Sequence, residues 1–187
     1  LLSRRQRQMC KETGDYAFSD CSALVEVSIP SSVDEIGSCA FNYCTALSSI
    51  VIPDSVTEIE EGAFSECRAL TTVVLPNSLT EISDYLFSYC ASLSSILIPD
   101  SVTEIETGAF QSCTSLVSIV IPDSVTEIED IAFSECSALR SVLLPASVTE
   151  IGVGAFDKCP NLTLTVFRNS YAERYAQRNH IPYTYAD

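Results

Sequence analysis

Residues 51–67 read VIPDSVTEIEEGAFSEC, and the same string returns with few changes further along the chain. The copy at residues 97–113 reads LIPDSVTEIETGAFQSC, and the copy at 120–136 reads VIPDSVTEIEDIAFSEC. The second copy starts 46 residues after the first, and the third starts 23 residues after the second. A period of 23 residues is therefore the first property of this sequence that needs a structural explanation.

Four residue types keep this period through most of the chain. Phenylalanine recurs at Phe18, Phe41, Phe64, Phe87, Phe110, Phe133 and Phe156. Cysteine recurs at Cys21, Cys44, Cys67, Cys90, Cys113, Cys136 and Cys159. Leucine recurs at Leu24, Leu47, Leu70, Leu93, Leu116, Leu139 and Leu162, and proline at Pro30, Pro53, Pro76, Pro99, Pro122 and Pro145. Four residue types held in phase over seven units predict a solenoid, in which each unit forms one coil stacked on its neighbours.

Each coil contains one segment with the pattern of a β-strand and one segment with the pattern of a tight turn. In LTTVVLP (70–76), apolar and β-branched residues alternate and a proline ends the run, which predicts a short strand. Because one such strand recurs per coil, the strands should run parallel, about 4.8 Å apart. TEIEEGAFSEC (57–67) is too short for a regular helix, so we expect a short strand or bend followed by a 3₁₀ or α turn. Ala63 and Phe64 should point inward, with the phenylalanines stacked as a column.

The unit L-x-x-[IV]-x-[IL]-P-x-S-V-T-E-I-x-x-x-A-F-x-x-C-x-x closely resembles the BspA-like subclass of leucine-rich repeats, over about residues 13–167. The resemblance implies a curved, right-handed solenoid of the α/β class with a parallel β-sheet on its concave side. It also implies a cell-surface or secreted protein that acts in adhesion or partner contact without catalysis. The last unit departs from the pattern, because LTLTVF (162–167) is one residue short and has no proline, so its strand register is open.

The ends of the chain differ from the repeats. We predict an N-terminal basic segment at 1–12, the solenoid at 13–167, and a C-terminal cap helix and tail at 168–187. NSYAERYAQRNH places Ser170 three residues before Glu173, which is the pattern of a capping box, and Ala172, Tyr175 and Ala176 can cover the last coil. LLSRRQRQM is expected to be a partial cap or a remnant of upstream chain. It lacks the small-residue cleavage site of a signal peptide.

The charge and the motif content exclude several classes of function. The net charge is −15, and between residues 12 and 167 the only basic residues are Arg68, Arg140 and Lys158. Such a surface repels phosphate backbones, so we expect no nucleic-acid partner. There is no apolar run long enough to span a membrane. There is also no phosphate-binding glycine loop and no nucleophile elbow, so we expect a non-catalytic protein without cofactors.

The periodic cysteines are expected to be small core residues. The spacing of adjacent coils does permit disulfides between them, so that alternative stays open. A zinc site is not expected, because there is no C-x-x-C pair and His180 is the only histidine. Cys10 and Cys39 fall outside the period, and the sequence leaves their redox state open.

Two further columns carry polar residues. The serines two positions after each proline are expected to bond backbone groups of the turns; they are Ser32, Ser55, Ser78, Ser101, Ser124 and Ser147. The glutamates are expected to form a solvated face, with weak cation binding or docking of a basic partner as the alternative; they are Glu35, Glu58, Glu60, Glu81, Glu104, Glu106, Glu127, Glu129 and Glu150. No calcium-binding loop motif supports a dedicated metal site.

The predicted concave sheet offers the candidate binding surface. The expected outward column consists of Val51, Val74, Leu97, Val120 and Leu143, flanked by small hydroxyl residues that include Thr72, Ser95 and Ser118, with Arg140 beside them. β-Branched residues also suit strands for purely structural reasons, but a continuous exposed apolar stripe is typical of a contact site. The favoured hypothesis is a protein-interaction or adhesion scaffold. A structural spacer or self-associating module is the alternative, and a water-ordering array is a remote one.

Overall fold

Each 23-residue unit forms one coil of a parallel solenoid in the computed structural model, which describes residues 12–186. In chain order the elements are β1 (Glu12–Thr13), β2 (Glu35–Ile36), β3 (Ser49–Val51), β4 (Glu58–Ile59), β5 (Thr72–Val74), β6 (Glu81–Ile82), β7 (Glu104–Ile105), β8 (Ser118–Val120), β9 (Glu127–Ile128), β10 (Ser141–Leu143), β11 (Glu150–Ile151), β12 (Thr163–Val166), α1 (Tyr171–Arg178) and β13 (Tyr183–Tyr185). The predictions for Cys10 and for a partial cap at residues 1–12 lie outside the described residues. Of that segment, only the backbone of Glu12 is described, as part of β1.

The strands form two ribbons along the stack, each made of two separate sheets, and every pairing is parallel. The longer strands, β3, β5, β8, β10, β12 and β13, form the first ribbon, which we call the long-strand ribbon. The two-residue strands β1, β2, β4, β6, β7, β9 and β11 form the second, the Glu–Ile ribbon. Residues 23 apart pair with each other, as Ile50 does with Val73. The prediction of parallel strands is confirmed, although residues 26–28 and 95–97 form no strand in their coils.

The short last unit keeps its place in the long-strand ribbon through a shift in register. Val142 pairs with Leu164, so the offset here is 22 residues and not 23. Leu164 and Val166 are fully buried, whereas the neighbouring Thr163 and Thr165 are half-buried. Because a slip by one residue would turn the apolar side chains outward, their burial fixes the register that the sequence left open.

The segment after each Glu–Ile strand is a series of isolated turns and not the 3₁₀ or α turn expected from the sequence. The N–H of Ser65 donates to Gly62 O within the same coil, at 2.9 Å. The N–H of Phe64 donates instead to Leu86 O in the next coil, at 3.1 Å. Alternate N–H groups therefore bond within the coil and between coils. In a helix, each of these N–H groups would donate to a carbonyl group of the same segment. Here every second N–H group donates to the next coil instead, so hydrogen bonds between stacked coils replace the helical pattern.

The core is a set of stacked columns, as the period predicted. The phenylalanine rings from Phe18 to Phe156 are stacked with their centroids 5.1–5.9 Å apart. Burial of each such ring stabilises the fold by about 1.5–3 kcal/mol before chain entropy is counted. Successive coils are thus held by one aromatic contact per turn, in addition to the ribbons.

The cysteine column lies beside the phenylalanine column, and its thiols donate hydrogen bonds to the backbone carbonyl groups of the phenylalanines. The thiol of Cys67 donates to the carbonyl oxygen of Phe41 in the previous coil, at 3.2 Å, and the same bond recurs at Cys90, Cys113 and Cys136. Burial raises the pKa of the Cys113 thiol to about 12. All eight cysteines of the described chain are free, so the disulfide alternative is not realised among them.

Helix α1 and strand β13 cover the C-terminal end of the stack. Ser170 caps the helix, its Oγ accepting from Glu173 N at 3.1 Å, and Glu173 Oε2 accepts from Asn169 N at 2.6 Å. Ala172, Tyr175 and Ala176 are buried, and the Tyr175 ring meets Phe156 edge-on at 6.2 Å. These side chains close the core over the last coil, in the arrangement that the capping-box pattern predicted.

Candidate functional site

The outward face of the long-strand ribbon is built by alternation along each strand. In β3, β5, β8 and β10 the middle residue is buried and the two outer residues are exposed. Because the strands pair in register, the exposed residues of neighbouring coils stand side by side. The result is two exposed columns, one aliphatic and one hydroxyl.

The aliphatic column is the surface predicted from the sequence, and we call its five residues the aliphatic stripe. Their exposed fractions are 63% for Val51, 48% for Val74, 80% for Leu97, 65% for Val120 and 39% for Leu143. The structure therefore places all five at the surface, at one position in five consecutive coils. Their role in binding a partner stays a prediction.

Small polar side chains flank the stripe on one side. Ser49, Thr72, Ser95, Ser118 and Ser141 are all exposed in the neighbouring column, and Arg140 is exposed in the column beyond it. That outer column also contains Val117, which is 44% exposed and extends the apolar area next to the stripe. Val117 was not among the predicted site residues, although a valine that interrupts a run of serine and threonine was a visible signal.

The coil that carries Leu97 interrupts the long-strand ribbon. The described long strands form two sheets, β3–β5 and β8–β10–β12–β13, and residues 95–97 belong to neither. This coil stays attached beside the gap, because Val117 N donates to Ser94 O at 3.2 Å. Leu97 thus lies at the centre of the stripe and is its most exposed member.

The Glu–Ile ribbon gathers carboxylates into a second candidate site. Within the described chain, carboxylate oxygens of Glu81, Glu104 and Glu106 lie within 4.8 Å of one another, as do those of Glu104, Glu127 and Glu129. The pKa of Glu106 is raised to about 7, first by burial and then by the nearby carboxylates of Glu81 and Asp84. Burial is also the largest cause of the raised pKa values of Glu81 and Glu127.

Several of these carboxylates have partners in the preceding coil. Glu60 Oε2 accepts from the backbone N–H of Ser38 at 2.9 Å and from its hydroxyl at 2.6 Å. Glu106 Oε2 accepts from Asp84 N at 3.0 Å, and Glu129 Oε2 from Thr107 Oγ1 at 2.7 Å. Glu60, Glu106 and Glu129 each lie one residue after a Glu–Ile strand and accept a hydrogen bond from the preceding coil. This column therefore has a structural role.

The serine column has the structural role that the sequence predicted. Ser55 Oγ donates to Val33 O at 2.7 Å, and Ser101 Oγ donates to Leu79 O at 2.6 Å. Equivalent bonds join Ser78, Ser124 and Ser147 to the carbonyl groups of the coils before them. These hydroxyls satisfy turn carbonyls that the ribbons leave without a strand partner. No helix within residues 12–186 is long and apolar enough to cross a membrane.

Comparison with known proteins assigns the repeat. The model of the BspA type leucine-rich repeat region matches in six copies over residues 7–117 and 80–176. No curated protein sequence matches the chain.

Solved structures show the same architecture. A leucine-rich repeat protein of Bacteroides ovatus superimposes with a TM-score of 0.80 at 30% identity, covering 93% of this chain and 43% of that one. The leucine-rich repeat protein of T. pallidum gives a TM-score of 0.79 at 37% identity, covering 92% of this chain and 78% of that one. A leucine-rich cell surface protein of Faecalibacterium prausnitzii gives 0.57 at 33% identity, covering 83% and 57%. The chain thus spans less than half the length of the Bacteroides protein.

Proposed function

Because this chain belongs to the BspA-type leucine-rich-repeat family, whose repeats generally serve as protein-interaction scaffolds, we propose that it is a non-catalytic scaffold that binds a protein partner through the aliphatic stripe. The observation that carries the proposal is the exposure of Val51, Val74, Leu97, Val120 and Leu143 in one line across five coils. A continuous apolar line on a preformed surface offers a contact area that needs no ordering when a partner binds.

Strand propensity alone does not account for the stripe. β-Branched residues are favoured in strands, but Leu97 and Leu143 are not β-branched. Leu97 is 80% exposed in a coil that forms no long strand, so neither packing nor local preference explains an apolar residue there. The flanking serine and threonine side chains are small, which lets a partner approach the stripe closely.

We extend the proposal to adhesion at the cell surface. The support is the resemblance of the repeat to surface and secreted proteins, together with the likeness to a leucine-rich cell surface protein of Faecalibacterium prausnitzii. A secreted or surface location is testable by fractionating the source cells and detecting the protein with an antibody on intact cells.

The test of the scaffold proposal compares two triple variants with the native chain. The stripe variant carries Val74→Glu, Leu97→Glu and Val120→Glu. The control variant carries Thr80→Glu, Thr103→Glu and Thr126→Glu, which adds the same charge to the same three coils at exposed positions on the other side of the proline turn. Far-UV circular dichroism and thermal unfolding establish that both variants fold.

The expected result is that the native chain and the control variant capture the same protein from a host or cell-surface extract, and that the stripe variant does not. Burying a glutamate charge against an apolar partner is strongly unfavourable, so the loss should exceed about tenfold in affinity. Equal capture by the stripe variant would show that the partner binds elsewhere and would overturn the proposal.

A further inference from the structure

The geometry of the aliphatic stripe points to a specific kind of partner. We infer that the partner presents a basic amphipathic α-helix, which lies along the stripe and crosses the strands. The inference rests on the proposed function, because it names the occupant of the same surface. Three observations carry it: the repeat distance of the coils, the shortness of the strands, and the distribution of charge around the stripe.

The coil spacing matches the pitch of a helix. Coils repeat every 5.1–5.9 Å in the phenylalanine column, and hydrogen-bonded strands lie about 4.8 Å apart. An α-helix advances about 5.4 Å per turn, whereas an extended strand advances about 6.7 Å for each pair of residues on one face. Over the four intervals of the stripe, a helix stays within about 3 Å of register with the coils, whereas an extended strand drifts by about 3–8 Å. Of these two conformations, the helix is the better match for placing one side chain against each of the five coils.

The direction of the helix follows from the length of the strands. Four of the five stripe residues lie on strands of three residues, so each strand is about 10 Å long, which is less than two helical turns. A helix lying parallel to the strands would contact one or two stripe residues. A helix lying across them contacts all five, with apolar residues at i, i+3 or i+4, and i+7.

The flanks of the stripe set the charge of the partner. Asp54, Asp100 and Asp123 are exposed, each three residues after a stripe residue, on the side opposite the hydroxyl column. The chain has no basic residue between Arg68 and Arg140, and its net charge is −15. A helix with lysine or arginine beside its apolar face would meet the aspartates on one flank and small hydroxyl groups on the other. The overall negative field would also speed its encounter.

A second copy of this chain is a poor occupant of the stripe. Two copies would each carry −15 and would repel one another. Among residues 12–186 the single helix is α1, whose apolar residues Ala172, Tyr175 and Ala176 are buried against the last coil. The described chain therefore has no free amphipathic helix to donate to a neighbour.

The experiment selects peptides from a random library displayed on phage, with inserts of about 16 residues, a little over four helical turns. The library is panned on the native chain after depletion on the folded Leu97→Glu variant. We expect apolar residues at helical spacing and a net positive charge in the selected sequences. Synthetic copies should gain helical circular dichroism on binding and bind the native chain more than about tenfold tighter than Leu97→Glu. Thr103→Glu is the matched control and should bind like the native chain.

The salt dependence of peptide affinity separates the electrostatic contribution to binding from the apolar contribution. Affinity should fall as salt rises, and the fall should be shallower for the Asp100→Asn, Asp123→Asn double variant. Selected peptides with a two-residue apolar period would overturn the inference of a helix, and neutral or acidic peptides would overturn the inference of a basic partner. If either kind of peptide still required Leu97 for binding, the stripe would remain the binding surface. Peptides that bind Leu97→Glu equally would overturn the stripe itself. Failure to enrich any peptide over Leu97→Glu would overturn the inference, while the capture experiment would still decide the proposed function.

Discussion

At the scale of single residues, the turns impose a left-handed backbone at two positions per coil, one just before the Ala–Phe pair and one just before the periodic cysteine. Glycine occupies the first position at Gly62, Gly108 and Gly154, with φ of 62°, 62° and 67°. Other coils place Cys39, Tyr85 and Ile131 there, with φ of 53°, 52° and 51°, although a side chain in this region is unfavourable. The sequence showed this column as glycine mixed with other residues, but did not show that all of them share one strained conformation.

At Gly108 a side chain would meet both a left-handed backbone, with φ of 62°, and a steric clash. A Cβ added there would lie 2.5 Å from the ring carbons Cδ1 and Cε1 of Tyr85. We expect Gly108→Ala to lower the free energy of unfolding by about 1–2 kcal/mol for the left-handed backbone, with a further loss from displacement of the ring. The measurement is urea unfolding followed by far-UV circular dichroism.

Gly14 provides the matched control for this substitution. A Cβ at Gly14 would meet no atom within 4 Å. Gly14→Ala should therefore change the free energy of unfolding by less than about 0.5 kcal/mol, as is usual for surface substitutions. Equal effects of the two substitutions would contradict the assigned turn geometry.

At the scale of the elements, the Glu–Ile ribbon places like charges next to one another. The pKa of Glu106 rises from its ordinary 4.5 to about 7, first because of burial and then because of Glu81 and Asp84. A carboxyl group with a higher pKa in the folded state binds its proton more tightly there. The contribution of Glu106 to stability should therefore be fully present below pH 4.5 and should be lost as pH rises through about 7.

We expect Glu106→Gln to stabilise the protein at pH 8 and to flatten the dependence of stability on pH between 4.5 and 8. The glutamine carbonyl can still accept the hydrogen bond from Asp84 N, so the tie between the bends is kept. The measurement is urea unfolding at a series of pH values. Glu26→Gln, which removes one charge from an exposed site in the first described coil, separates the effect of net charge. If Glu106→Gln stabilised the protein no more than Glu26→Gln does, the effect would come from net charge and not from the surroundings of Glu106.

Much of the element architecture could be predicted from the period, because each inward column repeats one residue type. The phenylalanine column, the cysteine column and the outward aliphatic stripe all follow from alternation within one unit. The turns after the Glu–Ile strands were predicted wrongly, since their bonds to the next coil depend on stacking, which a local pattern does not encode. The break in the long-strand ribbon at Leu97 also leaves no local signal, because SSILI (94–98) resembles the strand segments of its neighbours.

At the scale of the whole molecule, the solenoid distributes its core evenly along one axis. Each coil contacts only the coils on either side, so stability is a sum of local contributions. We expect Phe87→Ala to lower the free energy of unfolding by about 3–5 kcal/mol, because its fully buried ring stacks on Phe64 and Phe110. Thermal unfolding monitored by circular dichroism gives the measurement. Phe18→Ala, in a partly buried ring with one stacked neighbour in the described chain, should cost clearly less.

The state of association decides between a scaffold that binds a different protein and the alternative of a self-associating module. The aliphatic stripe could pair two solenoids, but that pairing would bring together two chains of net charge −15. We therefore expect sedimentation equilibrium to give the monomer mass at every protein concentration, at low salt and also when salt screens the repulsion. A mass that rises with concentration and returns to the monomer value in Leu97→Glu would assign the stripe to self-association. A rise that persists in Leu97→Glu would place the contact elsewhere, outside the stripe, and would leave the stripe available to a different partner.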